Sequence, residues 1–212
     1  MVTTSVTGVS AVTRVFRTPE VRRFGSVLFK SFEEGFKFLF AVQRSGVVPA
    51  SVRLMDNLQF QFGQALKPAK SRLGNLKSAL EKLYVLRLRG FEAERMVACT
   101  LLVEGSRDEV AAQERSVYAL ASAHGGMKAG AENGERGYQL TFAIAYIRDF
   151  MLEHWVIAES VEKSVAWSDA QGLWTNGKQR VWQEHAQLGL PGKPFISARG
   201  TQLYDTGVCR HL

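Results

Sequence analysis

Apolar residues along the chain recur at two different periods, and the switches between them mark out the elements. Phe32, Phe36, Leu39 and Phe40 fall at i, i+4, i+7 and i+8, the spacing that gathers side chains on one face of a helix. Val110, Val117, Leu120 and Ala121 form a second stripe of this kind, and Leu173, Trp174, Val181 and Leu188 a third. Each stripe follows a Ser-x-x-Glu/Gln tetrapeptide: Ser31-Phe-Glu-Glu34, Ser106-Arg-Asp-Glu109 and Ser168-Asp-Ala-Gln171. In such a capping box the serine oxygen accepts an orphan helical N–H, while the acid or amide three residues on reaches back to the cap. The stripes run out near Gly46, at Gly125-Gly126 and before Gly189 and Pro191, residues at which helices end. Shorter apolar runs predict strands over Ser26–Phe29, Ser51–Met55, Val97–Val103, Trp155–Val161 and Gln202–Cys209. The glycines from Gly125 to Gly137 read as a helix C-cap followed by a loop. The pattern is one of strands alternating with helices that cover a sheet, whose strand direction it leaves open. No linker divides the chain and no fixed-period repeat appears.

Composition narrows this picture only a little. At 212 residues, with 46% hydrophobic and 22% charged, the chain can bury a substantial core and is not of disordered or collagenous type. No apolar run approaches the roughly 18 residues of a membrane span, and no basic segment followed by an apolar one opens the chain. Two cysteines, Cys99 and Cys209, make neither a disulfide framework nor a zinc ligand set. The net charge of +7 permits anionic partners without selecting one. A basic stretch from Lys67 to Arg89, interleaved with Leu73, Leu76, Leu80, Leu83 and Leu86, reads as a solvated helix packed on the sheet, or as a contact for an anionic membrane surface or for nucleic acid.

Candidate chemistry is sparse. Neither a Gly-x-Gly-x-x-Gly turn nor a Gly-x-x-x-x-Gly-Lys-Ser/Thr loop is present, and Gly-x-Ser-x-Gly and His-Glu-x-x-His are missing too. His124, His154, His185 and His211 show no metal-ligand spacing, and Trp155, Trp167, Trp174 and Trp182 read as packing residues rather than base-stacking ones. Two arginines stand out in apolar company: Arg53 in Ser-Val-Arg-Leu-Met-Asp, and Arg148 in Ala-Ile-Ala-Tyr-Ile-Arg-Asp. A guanidinium drawn toward a core needs an anion, since leaving it desolvated and unpaired is costly. Asp56 and Asp149 are structural candidates for that anion; a phosphate or carboxylate clamped by both arginines is the functional one. The pattern leaves both open.

The run Pro49-Ala-Ser-Val-Arg-Leu-Met-Asp-Asn-Leu-Gln-Phe-Gln-Phe-Gly-Gln-Ala-Leu-Lys-Pro68 closely resembles the alkylglycerone-phosphate synthase family. The resemblance continues through Thr100-Leu-Leu-Val-Glu-Gly105, Glu132-Asn-Gly-Glu-Arg-Gly-Tyr138, Ala143-Ile-Ala-Tyr-Ile-Arg-Asp149 and Thr201-Gln-Leu-Tyr-Asp-Thr-Gly207. That family consists of FAD-dependent, vanillyl-alcohol-oxidase-like flavoproteins with an N-terminal FAD-binding domain and a C-terminal cap domain. The resemblance implies an α+β fold, an antiparallel sheet covered by helices, with residues 18–212 as the cap and 1–17 as a remnant of the FAD-binding domain. It implies FAD as cofactor, and acyl-dihydroxyacetone phosphate and a long-chain fatty alcohol as substrates. In the family the acyl group is exchanged for the alcohol at the flavin without net oxidation. Arg53 falls on an arginine important for activity and Arg148 on one that binds substrate. Peroxisomal or glycosome-like location, peripheral contact with an anionic membrane and no nucleic-acid partner are also implied; a homodimer is left open.

The chain departs from the family at both ends. Complete members carry several hundred residues before it, and continue past Cys209 into an aromatic strand with a catalytic tyrosine and then a histidine-rich segment. The position of the tyrosine is held here by His211. The expectation is therefore a cap-domain fragment that binds FAD poorly and does not turn over alone. Arg210-His211-Leu212 is only loosely similar to a peroxisomal address. A flavin-dependent 2-hydroxy-acid dehydrogenase cap and a non-catalytic membrane-binding module are the alternatives.

Overall fold

The computed structural model describes residues 15, 17–66 and 84–211. Seven strands form one sheet: β1 (Val21–Phe29), β2 (Ser51–Met55), β3 (Val97–Gly105), β4 (Met127–Lys128), β5 (Glu162–Ala166), β6 (Arg199–Leu203) and β7 (Gly207–His211). Their order is β4-β1-β3-β2-β6-β7-β5, and each hydrogen-bonded pair is antiparallel. The helices are α1 (Phe32–Arg44), α2 (Asn57–Ala65), α3 (Arg107–Ala123), α4 (Ala131–Glu153) and α5 (Trp167–Gln187), with a π-helical turn at Tyr84–Leu88. This is the antiparallel, helix-covered sheet that the resemblance implies.

Strand alternation sorts side chains onto two faces. Val27, Phe29, Val52, Leu54, Val97, Cys99 and Leu101 point to one face, where they bury Phe38, Leu39 and Val42 of α1 with Val117 and Ala121 of α3. Burying each such large apolar side chain contributes about 1.5–3 kcal/mol. On the same face Trp174 of α5 packs on Phe32 with ring centroids 4.1 Å apart. Leu28, Met55 and Ala98 point to the other face and meet Phe60 of α2, Val85, Leu86, Phe91 and Met96. The central strand β3 is covered on both faces, which is why Val97–Val103 reads as an unbroken apolar run rather than an alternating one.

Two of the three capping serines sit where the tetrapeptides put them. Ser106 makes the reciprocal box with Glu109. Ser31 accepts from Glu34 N–H at 3.2 Å, but Glu34 turns its carboxylate to the N–H of Lys30 instead. Ser168 is not a cap: α5 begins at Trp167, directly after edge strand β5, with no side-chain cap. Packing fixes that start, because Trp167 packs against Phe36 and Phe40 and donates Nε1–H to Tyr204 O at 2.9 Å.

Three further expectations change. Trp155–Val161 is not a strand; its apolar side chains are mostly solvent-facing, and the pairing segment is the polar edge Glu162–Ala166 that follows. Gln202–Cys209 is not one strand but the hairpin β6–β7, turned at Tyr204–Gly207, where Tyr204 N–H donates to Gly207 O at 2.8 Å. The glycine-rich segment is not all loop: Met127–Lys128 pair with β1 as β4, and Gly134 and Gly137 lie inside the long helix α4. Of the four tryptophans, Trp174 and Trp167 pack as expected, whereas Trp182 and Trp155 are exposed. Residues 67–83 of the Lys67–Arg89 stretch, and residues 1–14, lie outside the described residues.

Candidate functional site

The chemistry-bearing residues gather on the face of the sheet that α4 crosses. A helix interior with glycines three apart is intrinsically weakened, yet here the glycines bring helix and sheet together. A Cβ on Gly134 would lie 2.1 Å from Gly25 O of β1, and one on Gly137 would lie 2.7 Å from Thr100 Cγ2 of β3. Only hydrogens fit at these contacts, so α4 rests directly on the strands. That close approach delivers Tyr138 and Thr141 to β2.

Arg53 of β2 is their target. Its neighbours Val52 and Leu54 are buried in the core beneath α1, so alternation turns Arg53 to the α4 face. There Arg53 Nη1 donates to Thr141 Oγ1, and the guanidinium stands over the Tyr138 ring, 5.6 Å from its centroid. Tyr138 is itself steadied by Phe24 and Phe142, each with centroids 5.6 Å away. Burial lowers the Arg53 pKa, with Tyr138 acting the other way. Its partner is not Asp56. That carboxylate caps α2 through Gln59 N–H at 2.8 Å, accepts from Ala198 N–H at 2.7 Å and pairs with Lys178 of α5.

Two more arginines share this face. Arg199 of β6 is partly buried and stands beside Arg53; burial first, then the Arg53 charge, lower its pKa, against the opposing influence of Glu162. Its Nε is buried without a hydrogen-bond partner, as is the Thr201 hydroxyl two residues on. Arg136 of α4 lines a crevice with Gln59, Gln64, Asn133 and Thr100. Its Nη2 donates to Asn133 Oδ1 at 3.2 Å while its Nε is buried and unpartnered, and burial lowers its pKa. Buried polar atoms without partners are uncommon, and each calls for an explanation, a water, an ion or a ligand among them.

Arg148 is placed differently from its expectation. It is exposed on α4 and pairs with its sequence neighbour Asp149 at 3.2 Å, that carboxylate being exposed as well. It is not drawn toward a core, because the half of α4 beyond Thr141 turns apolar side chains to solvent. Arg148 lies two helical turns, about 10 Å, beyond Thr141, so the two expected arginines do not form a joint clamp by contact. Arg136, Arg199, Tyr138 and Thr201 escape the pattern-based reading. Arg199 carries the signal that exposes Arg53, a cation flanked by apolar residues in Phe-Ile-Ser-Ala-Arg-Gly, but the predicted strand begins too late to include it. Among the described residues no group of three or more His, Cys, Asp or Glu could hold a metal ion. Cys99 is fully enclosed, its thiol pushed up to about 12 by burial, so it takes no part in chemistry here.

Comparison with known proteins fits this geometry into a lineage. The profile of FAD linked oxidases, C-terminal domain, matches residues 18–211. The chain belongs to that family. Among relatives of this FAD linked oxidase domain, the alkyldihydroxyacetonephosphate synthase of Caenorhabditis elegans is 44% identical over 95% of the chain. The proteins of the same name from Dictyostelium discoideum and Trypanosoma brucei brucei are 27% and 26% identical, each over 95% of the chain. The chain spans about a third of their length: 34%, 33% and 33% respectively. Two crystal forms of an alkyldihydroxyacetonephosphate synthase superpose with TM-scores of 0.77 and 0.75 at 25% identity, over 92% of this chain and 35% and 36% of theirs. The orphan donors of Arg136, Arg199 and Thr201 fit an anionic group such as a phosphate of FAD or of a substrate.

Proposed function

We propose that this domain forms the substrate-facing side of an FAD-dependent alkyldihydroxyacetonephosphate synthase, which exchanges the acyl group of acyl-dihydroxyacetone phosphate for a long-chain alcohol. The observation that carries the reading is Arg53, a partly buried cation with no carboxylate partner among the described residues, held by Tyr138 and Thr141 on the face away from the core. Bound FAD supplies the reactive ring at which the groups are exchanged. Arg53 contributes a fixed positive charge whose orientation is set before substrate arrives, which is where preorganised electrostatics gain their effect. Arg148 is free to swing its guanidinium from Asp149 to an incoming anion, the substrate phosphate or the departing carboxylate. Peroxisomal location and peripheral membrane contact belong to the same proposal; no helix among the described residues is long and apolar enough to cross a membrane.

A chimera tests this. The matching third of the Caenorhabditis elegans synthase is replaced by this chain, and labelled hexadecanol is followed into alkyl-dihydroxyacetone phosphate. Exchange is expected, with Arg53→Gln lowering it by roughly a hundredfold or more and Arg148→Ala raising KM for the phosphate substrate. A chimera that takes up FAD yet performs no exchange, or that oxidises a 2-hydroxy acid instead, overturns the reading.

A further inference from the structure

We propose that Arg53, Arg199 and Thr201 form one phosphate-binding site on the open face of the sheet, with Arg199 as its second cation. β2 and β6 are neighbours, with Met55 opposite Arg199 and Leu54 opposite Gly200. Continuing that register by one residue sets Thr201 opposite Arg53, and Arg199 on the diagonal from it, within reach of long side chains. Gly200 faces the core instead, where a Cβ would meet Leu39 and Trp174. The ladder between β6 and β7 slips between Gly200 and Gln202, so Thr201 is the extra residue of a bulge. A bulge re-aims a side chain, and here it keeps Thr201 on the arginine side while Leu203 returns to the core.

The bonding capacity of this corner is unfilled. Arg199 Nε and Thr201 Oγ1 are buried without partners, whereas Arg53 spends one nitrogen on Thr141. Bringing two guanidiniums together costs energy unless an anion sits between them. Among the described residues the carboxylate that acts on Arg199 is Glu162, which also accepts from Cys209 Sγ at 2.9 Å. One carboxylate leaves a net positive corner, and two guanidinium forks with a hydroxyl donor match the oxygens of a phosphate. That phosphate comes either from a phosphate monoester substrate or from the diphosphate of a dinucleotide cofactor.

This rests on the reading above for Arg53 alone, and the test reads binding rather than turnover. Glycerol 3-phosphate and ADP are titrated into the 212-residue chain by ³¹P NMR, with fold checked by circular dichroism. Saturable binding is expected, weakened roughly tenfold or more by Arg199→Gln, less by Thr201→Val, and tightened by Glu162→Gln. Arg95→Gln, which removes an exposed charge paired with Glu92, leaves it unchanged. The tighter ligand names the source of the phosphate. No binding, or binding indifferent to Arg199, Thr201 and Glu162, overturns the site. A chain that binds phosphate while the chimera fails to exchange would remove the proposed activity and keep the site.

Discussion

Arg53 and Asp56 lie three residues apart and end on opposite faces of the sheet, which decides what each can do. On a strand an odd offset reverses the side, so Asp56 joins Val52 and Leu54 on the core face while Arg53 does not. There Asp56 is 6% exposed and its partner Lys178 has a side chain 18% exposed. Asp56→Ala would strand the ammonium and the backbone donors it serves, and should cost about 3–5 kcal/mol in urea unfolding; a loss within about 1 kcal/mol would show that Lys178 escapes to water. The apolar flanks of Arg53 made it legible from sequence, whereas its partners were not. Nearness in sequence suggested Asp56, and only strand parity and the approach of α4 replace it with Tyr138 and Thr141. Local capping was the more readable kind of signal. Ser106 donates its N–H and hydroxyl to the Glu109 carboxylate at 2.8 and 2.7 Å, which lowers that pKa below the ordinary carboxylate range. Ser106→Ala should cost about 1 kcal/mol at neutral pH. Because the folded pKa is depressed, the Glu109 contribution is present above the unfolded value and fades as pH falls through the folded one. The gap between wild type and Ser106→Ala should therefore narrow as pH falls below the ordinary carboxylate range, as measured by thermal unfolding.

At the scale of elements, α4 is where sequence and structure part most. Glycine reads as loop because it is a poor helix former, and Gly130, Gly134 and Gly137 in close succession hid the start of a 23-residue helix. The quantity that outweighs propensity is contact between backbones, which no local pattern records. Alanine separates the two effects. In α5, a Cβ added to Gly172 would meet nothing within 4 Å. Gly172→Ala should therefore stabilise by about 0.5–1 kcal/mol, the ordinary helix preference. Gly134→Ala gains the same preference but drives a methyl into Gly25 O, and should destabilise by roughly 2 kcal/mol or more. It should also weaken the hold of Thr141 and Tyr138 on Arg53, so the chimera should lose exchange along with stability. Equal effects of the two substitutions in parallel urea titrations would mean that α4 does not seat through its glycines. The strands fared better for a related reason: β2 and β3 are central, and their apolar runs are long enough to be unambiguous. The polar edge β5 carries little of that signal.

Across the whole molecule, one face is finished and the other is not. The core face is closed by α1, α3 and α5, while beyond Thr141 helix α4 turns Phe142, Tyr146 and Phe150 outward at 67%, 77% and 61% exposure. These residues recur every four positions and so form a single stripe, and Trp155 and Ile157 extend the exposed apolar surface at 96% and 81%. Scattered exposed apolar residues need no explanation, but a contiguous aromatic stripe beside orphaned arginine donors is the mark of a surface made to be covered. The relatives that share this domain are about three times as long as the chain. The chain by itself should bind the dye ANS and self-associate on size-exclusion chromatography with light scattering. Replacing Tyr146 and Phe150 with serine, and leaving Phe142 on Tyr138, should weaken both while leaving the melting temperature nearly unchanged, since neither belongs to either buried cluster. A large fall in melting temperature would instead make the stripe part of the fold, and a wild-type chain that neither binds dye nor associates would show that its aromatic surface is already satisfied.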